Sequence, residues 1–201
     1  MGAVGVVMFS VGVAGWLGIV WLILHFAVIR KQRPRSFRRS GAPALAAQHG
    51  WSYVHGAPPP EARVPYSYVA QRIDGTVGGL PFWFEERVEV VNSAPEADSE
   101  RWRPRMVVGG ASGLPTGQVQ THGRKVTTIP VGGRLSALAG DPAFTQWITS
   151  QRHAGELSVN PDGTLSTSWR DPTDEKTFLG KQRFLLEALA RLRQLAGERV
   201  D

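Results

Sequence analysis

The sequence predicts an α+β fold: a transmembrane helix, then one mostly antiparallel sheet domain that ends in an amphipathic helix. Three observations carry this. Residues 4 to 29, "VGVVMFSVGVAGWLGIVWLILHFAVI", contain no Asp, Glu, Lys or Arg. In "LPFWFEERVEVV", 80 to 91, Phe82, Phe84, Val88 and Val90 share one face while Glu85, Arg87 and Glu89 share the other. That is the alternation of a half-buried strand with one wet face. Near the C-terminus Phe178, Leu185, Leu189 and Leu192 recur at helical spacing, with Lys181, Arg183, Glu187 and Arg191 mostly opposite.

The apolar stretch is long enough to cross a bilayer core: at 1.5 Å per residue it reaches about 39 Å against roughly 30 Å required. A cleaved signal peptide would want a basic n-region, a shorter apolar core and a small-x-small site; here no base precedes the apolar stretch, the core is longer, and no such site lies between the span and the basic run. Residues 1–29 are therefore expected to form an anchor with its span at about 4–29. Residues 30–40 follow as a basic juxtamembrane linker and 41–201 as the α+β domain. Trp16, Trp21 and His25 are expected to be ordinary residues of the span.

Ser40 is expected to cap a short helix through "PALAAQH", which Gly50 ends. "WSYV" at 51–54 reads as a strand and the proline-rich stretch after it as a loop. Asp74-Gly75 is a hairpin signal, pairing 66–73 with 76–91. "NSAPEADSERWRP", 92 to 104, reads as a polar excursion, and "RMVV", "QVQTH" and "VTTIPV" as short strands. Asp141 and Pro142 open a helix running to about Gln151. "ELSVNPDGTLSTSW" is a hairpin turning on "NPDG", and "DPTDE" at 171–175 repeats the Asp-Pro helix start.

Charge decides the class of partner. The chain carries 23 Lys+Arg and 17 Asp+Glu. Arg30, Lys31, Arg33, Arg35, Arg38 and Arg39 lie within ten residues, and without them bases and acids balance. A nucleic-acid-binding domain carries its basic excess on the folded module, so no nucleic acid is expected. A basic cluster beside a span marks the cytoplasmic side. It predicts an N-terminus outside the cell membrane, a cytoplasmic C-terminal domain, and contact of the six bases with anionic lipid headgroups. The absence of cysteine fits a reducing compartment.

No chemistry-bearing motif emerges. The five histidines lack metal-ligand spacing, and His49 and His55 flanking Gly50 have no further ligand beside them. "GGASG" at 109–113 has neither Walker nor G-x-G-x-x-G spacing and reads as a flexible connection. "FEERVE" reads as the solvated side of a strand. No catalytic residue, metal or cofactor is expected. Trp83, on the charged face of the best strand, is either covered by a helix or exposed to a protein partner.

The order of a short span, an Arg-rich junction, "LAAQHGWSYV", a "G…GLPFWF" strand pair and a C-terminal amphipathic helix resembles a broad, poorly characterised group of actinobacterial single-span membrane proteins. The resemblance implies the same architecture and carries no activity.

These readings point to a membrane-anchored interaction or scaffold module without catalysis. The alternatives are an enzyme whose site is assembled from scattered residues and a module that binds anionic lipid. In the span Ser10, Ala14 and Gly18 recur every four residues, a small face that lets two helices approach and a homodimer form. Replacing Ala14 and Gly18 by Leu is expected to weaken self-association in a membrane two-hybrid assay; an unchanged signal would retire that face as a contact.

Overall fold

The computed structural model describes residues 16, 19–22, 33–58, 60, 65–92, 98–122, 125–151 and 156–197. Eight strands form one wholly antiparallel sheet: β1 (Ser52–His55), β2 (Tyr66–Val77), β3 (Leu80–Asn92), β4 (Asp98–Val108), β5 (Gly117–His122), β6 (Lys125–Ile129), β7 (Glu156–Val159) and β8 (Leu165–Ser168). Their order is β1-β2-β3-β4-β8-β7-β5-β6. The β7–β8 hairpin thus returns to fill the place between the β1–β4 meander and the β5–β6 hairpin. Helices α1 (Ala42–His49), α2 (Arg134–Ala139), α3 (Pro142–Ser150) and α4 (Glu175–Leu195) complete the domain. The α+β class is as expected.

The expected span at 4–29 falls almost wholly outside the described residues, as do Ser10, Ala14, Gly18, His25, Arg30 and Lys31. Residues 16 and 19–22 are helical, with Trp16 and Trp21 exposed. Among the described residues no helix is long and apolar enough to cross a membrane.

The hairpin between β2 and β3 turns at Gly78-Gly79, with Val77 opposite Leu80, and not at Asp74-Gly75. Both turn glycines have positive φ, 57° and 75°, as a two-residue hairpin turn requires. Asp74 instead pairs with Trp83 across the strands. Gly75 serves Trp51, since a Cβ there would lie 2.1 Å from the indole Cδ1. The indole Nε1–H donates to the Thr76 carbonyl at 2.9 Å.

The polar stretch before "RMVV" is also a strand, β4 running from Asp98 and pairing with β3 along its length. Arg101 and Arg105 stand opposite Glu89 and Glu85, and Arg103 pairs with Glu89 at 3.2 Å, so the wet face carries cross-strand opposite charges rather than apolar residues. That is why hydrophobicity alone missed it. "GGASG" is a packed crossing: the Gly109 amide donates to the Pro81 carbonyl, the Ala111 amide to the Gly163 carbonyl, and Ala111 is buried.

Helices cover the inner face of the sheet. Phe178 of α4 meets Phe84 edge-on at 5.3 Å and lies within 6.4 Å of the Phe37, Trp51 and Phe82 rings. Further along α4, Phe184 stacks on Trp147 of α3 at 5.7 Å. Asp141 caps α3 as expected, accepting from the Phe144 amide. The cap of α4 is Asp174, which accepts from the Thr177 amide at 2.8 Å, three residues beyond the expected Asp-Pro start at Asp171.

One residue of α4 departs from its expected side. Lys181 belongs to the buried face, 5% exposed, because it lies three residues after Phe178 and four before Leu185. Its ammonium sits 5.0 Å from the centre of the Trp169 ring, and burial pushes its pKa from 10.5 down to about 8. A folded value below the unfolded one means that the unfolded chain binds more protons between them. Stability therefore rises with pH through that window, and the burial penalty is fully present below about pH 8. Lys181→Met is expected to raise stability at pH 7, and the melting temperature with it, by on the order of 3 kcal/mol of unfolding free energy at most. The gain should shrink as the pH approaches 10; a gain independent of pH would show that the ammonium is not the cause.

Candidate functional site

Glu86 is the residue that the alternation of β3 makes anomalous. It lies on the inner face with Phe84 and Val88 and is fully buried, so "FEERVE" is not wholly a solvated side. One carboxylate oxygen accepts from the Thr173 amide at 2.7 Å and the other from Gln71 Nε2 at 2.9 Å. Arg38 Nε lies 3.6 Å from the latter oxygen. Burial is the largest influence on the Glu86 carboxyl and raises its pKa; the Thr173 amide, the Arg38 charge and the Gln71 amide pull it back only in part.

Gln71 reaches this point through an irregularity. The β2–β3 register shifts between Val69 and Gln71, a bulge at Ala70 that changes which residues face inward. Tyr66 and Tyr68 before it and Gln71 and Ile73 after it therefore share the inner face, despite their opposite parity. Gly56 of the loop after β1 donates its amide to the Ala70 carbonyl at 3.1 Å. No other residue fits there, since a Cβ on Gly56 would lie 1.7 Å from the Val69 oxygen.

Arg38 arrives from the basic segment, of which residues 33–40 are described and helical. Residues 33–36 are helical, Pro34 included, and Phe37–Gly41 form a π-helical turn that runs directly into α1. Ser40 does not cap α1. It lies inside the turn, and its hydroxyl donates to the Ser36 carbonyl. Across the turn the Ala42 amide donates to the Phe37 carbonyl, five residues back. The next such donor would be residue 43, but Pro43 has no N–H. The Arg38 carbonyl is satisfied instead by the Tyr53 hydroxyl at 2.9 Å. The widened turn places Phe37 in the core, 3% exposed. It also turns Arg38 inward, its guanidinium 4.0 Å from the centre of the Trp102 ring. Arg33, Arg35 and Arg39 stay exposed.

A cavity of about 870 Å³ opens beside this cluster. Its walls are the helical segment (Arg35, Arg38, Arg39), the sheet (His55, Tyr68, Glu100, Trp102) and the approach to α4 (Asp171, Asp174). A second groove of about 910 Å³ runs between the same segment and α4, past Phe37, Leu179, Gly180 and Phe184. The two histidines expected to flank Gly50 separate: His49 stacks on Trp51 at 4.5 Å, and His55 lines the first cavity. Among the described residues no group of three His, Cys, Asp or Glu side chains is arranged to hold a metal ion.

Trp83 is neither under a helix nor openly exposed. Guanidinium groups of Arg72 and Arg105 flank it at 5.4 and 5.5 Å from the ring centre, on a face that also holds the Arg87–Glu85 and Arg103–Glu89 pairs. The readable trace of the Glu86 site was an acid at an inward position of an otherwise apolar alternation.

No protein-family model, curated protein or solved structure matches this chain.

Substitution separates the roles of the Glu86 cluster. Glu86→Ala leaves the Thr173 amide and Gln71 without their acceptor and the Arg38 guanidinium without its counter-charge, and is expected to cost about 3–5 kcal/mol. Glu86→Gln keeps one acceptor for the Thr173 amide and should cost clearly less. The wild-type carboxyl has a folded pKa above the ordinary 4.5, so its contribution is fully present below that value and is lost as pH rises through the folded pKa. Thermal unfolding from pH 4 to 8 should show wild type losing ground to Glu86→Gln; parallel profiles would contradict the assigned cause.

Proposed function

We propose that this chain is a single-pass cell-membrane protein with its N-terminus outside. Its cytoplasmic α+β domain acts as an interaction or scaffold module rather than as an enzyme. The actinobacterial single-span group is part of the same reading. The observation that supports it best is the fate of the basic segment. Residues 33–41 of the basic segment and the turn after it are built into the domain through Phe37 and Arg38, while Arg33, Arg35 and Arg39 remain exposed.

A segment built in this way holds the domain at a set orientation to the leaflet, with three arginines free to meet anionic headgroups. A flexible linker would leave the orientation open. The protein partner would then meet a surface presented at constant height, and the outer face of the sheet around Trp83, with its alternating arginines and carboxylates, is suited to a polar contact. The enzyme reading has one observation in its favour: His55 lines the same cavity as Arg38, the ion-pair partner of buried Glu86, residues distant in sequence.

Two measurements test the proposal. A C-terminal reporter active only outside the cytoplasm is expected to stay silent. A chain from residue 30 onward is expected to bind anionic vesicles and release with salt, because the Debye length is about 8 Å at physiological strength. Gln at 33, 35 and 39 should abolish that binding without unfolding the domain, whereas Gln at 38 should lower stability. An active reporter would reverse the orientation, and vesicle binding that survives the triple change would move the membrane contact to the folded domain.

A further inference from the structure

The cavity beside Glu86 is bipolar. Arg35 and Arg39 stand on its helical wall, and Glu100 and Asp171 stand on the sheet and on the approach to α4. Among the described residues no ion pair joins these two arginines to these two carboxylates, although all four line the same 870 Å³. Tyr68 and Trp102 form the aromatic floor, and burial first, then the Glu100 charge, raises the pKa of the Tyr68 phenol. Behind the floor, Gln71 Oε1 and Arg38 Nε are buried without a hydrogen-bond partner. A simple anion entering here would meet the two carboxylates, and a simple cation would meet the arginines. A ligand that carries both charges, separated, satisfies both walls.

We infer that this cavity binds a phosphoethanolamine unit, its phosphate between Arg35 and Arg39 and its ammonium against Tyr68, Glu100 and Asp171. Guanidinium groups suit phosphate oxygens, and an ammonium is held by an aromatic face with a carboxylate at its side. Such a unit occurs as the headgroup of a zwitterionic lipid and as a free ester. The lipid is the favoured source, and this part rests on the proposed membrane anchor: the arginine wall begins within a few residues of the apolar stretch. The lipid would then be recognised by two charges rather than by the net negative charge that attracts the basic segment.

The test uses the full chain in non-ionic detergent, titrated calorimetrically with three probes: dihexanoyl-phosphatidylethanolamine, dihexanoyl-phosphatidylglycerol and free phosphoethanolamine. The ethanolamine lipid is expected to bind saturably, and the glycerol lipid, which lacks the ammonium, about tenfold more weakly. Glu100→Gln should erase that preference. Arg39→Gln should weaken both lipids by about tenfold. Both residues are exposed, so neither change threatens the fold, and misfolding would not exchange one selectivity for another. Equal binding of the two lipids with no response to Glu100→Gln would overturn the assignment, as would the absence of saturable binding by any probe. Free phosphoethanolamine binding as tightly as the lipid would uphold the chemistry and make the free ester the source. Cell fractionation run alongside separates the two readings. A membrane-bound chain that binds no probe overturns the cavity assignment alone, and a chain free of membrane that binds the ester upholds the cavity and overturns the anchor.

Discussion

The structure depends on how one carboxylate, Glu86, is kept on the apolar side of a sheet. An ionisable group there is costly unless it is hydrogen-bonded and its charge is met, and the two donors and one opposite charge that do this come from three places far apart in sequence. Gln71 comes from the neighbouring strand, the Thr173 amide from the approach to α4, and Arg38 from the segment before α1. Each of these pieces must be docked for the carboxylate to be satisfied. A polar pin of this kind adds little net attraction, but it penalises any other arrangement of the three. It therefore sets where the N-terminal segment and α4 sit relative to the strands.

Attraction comes mainly from the rings around Phe178. Burying a phenylalanine contributes roughly 1.5–3 kcal/mol, and Phe37, Phe82, Phe84 and Phe178 are all buried within one cluster. The contact of Arg38 with Glu86, at 3.6 Å and with the desolvation of both charges against it, cannot match that. Phe37 therefore holds the basic segment to the domain, and Arg38 determines the register in which it is held. The π-helical turn is what allows both, since one extra residue in the turn points Phe37 and Arg38 inward while Arg33, Arg35 and Arg39 face out.

The two faces of the sheet solve different problems. Arginine and glutamate alternate across strands on the outer face, and Trp83 is sheltered by Arg72 and Arg105. Such exposed pairs add at most a few tenths of a kcal/mol each, yet they keep a long sheet soluble and discourage unspecific contact. On the inner face the helices cover one part. Tyr66, Tyr68 and Trp102 close over a smaller cluster of Ala70, Val88 and Val90. The cavity lies at this junction between helix-covered and ring-covered surface, where the basic segment passes over the sheet.

What the sequence determined by itself was what local periodicity and local chain chemistry can encode. The alternation in β3 and the stripe on α4 came from the geometry of single elements, as did the Asp141 cap and the "NPDG" turn. The apolar stretch and its basic flank carry a topology expectation for the same reason. The sequence also held the positions of Gly78-Gly79, but a strand running on through Asp74-Gly75 is visible only once Trp51 is seen lying against it. Tertiary structure decided the rest. Arg38 reads as one more base in a run until Glu86 is placed opposite it, and β4 reads as a polar loop until β3 supplies its complementary charges. In each case the deciding partner lies far away in sequence, and the free energy belongs to the pair, so no window around either residue contains it.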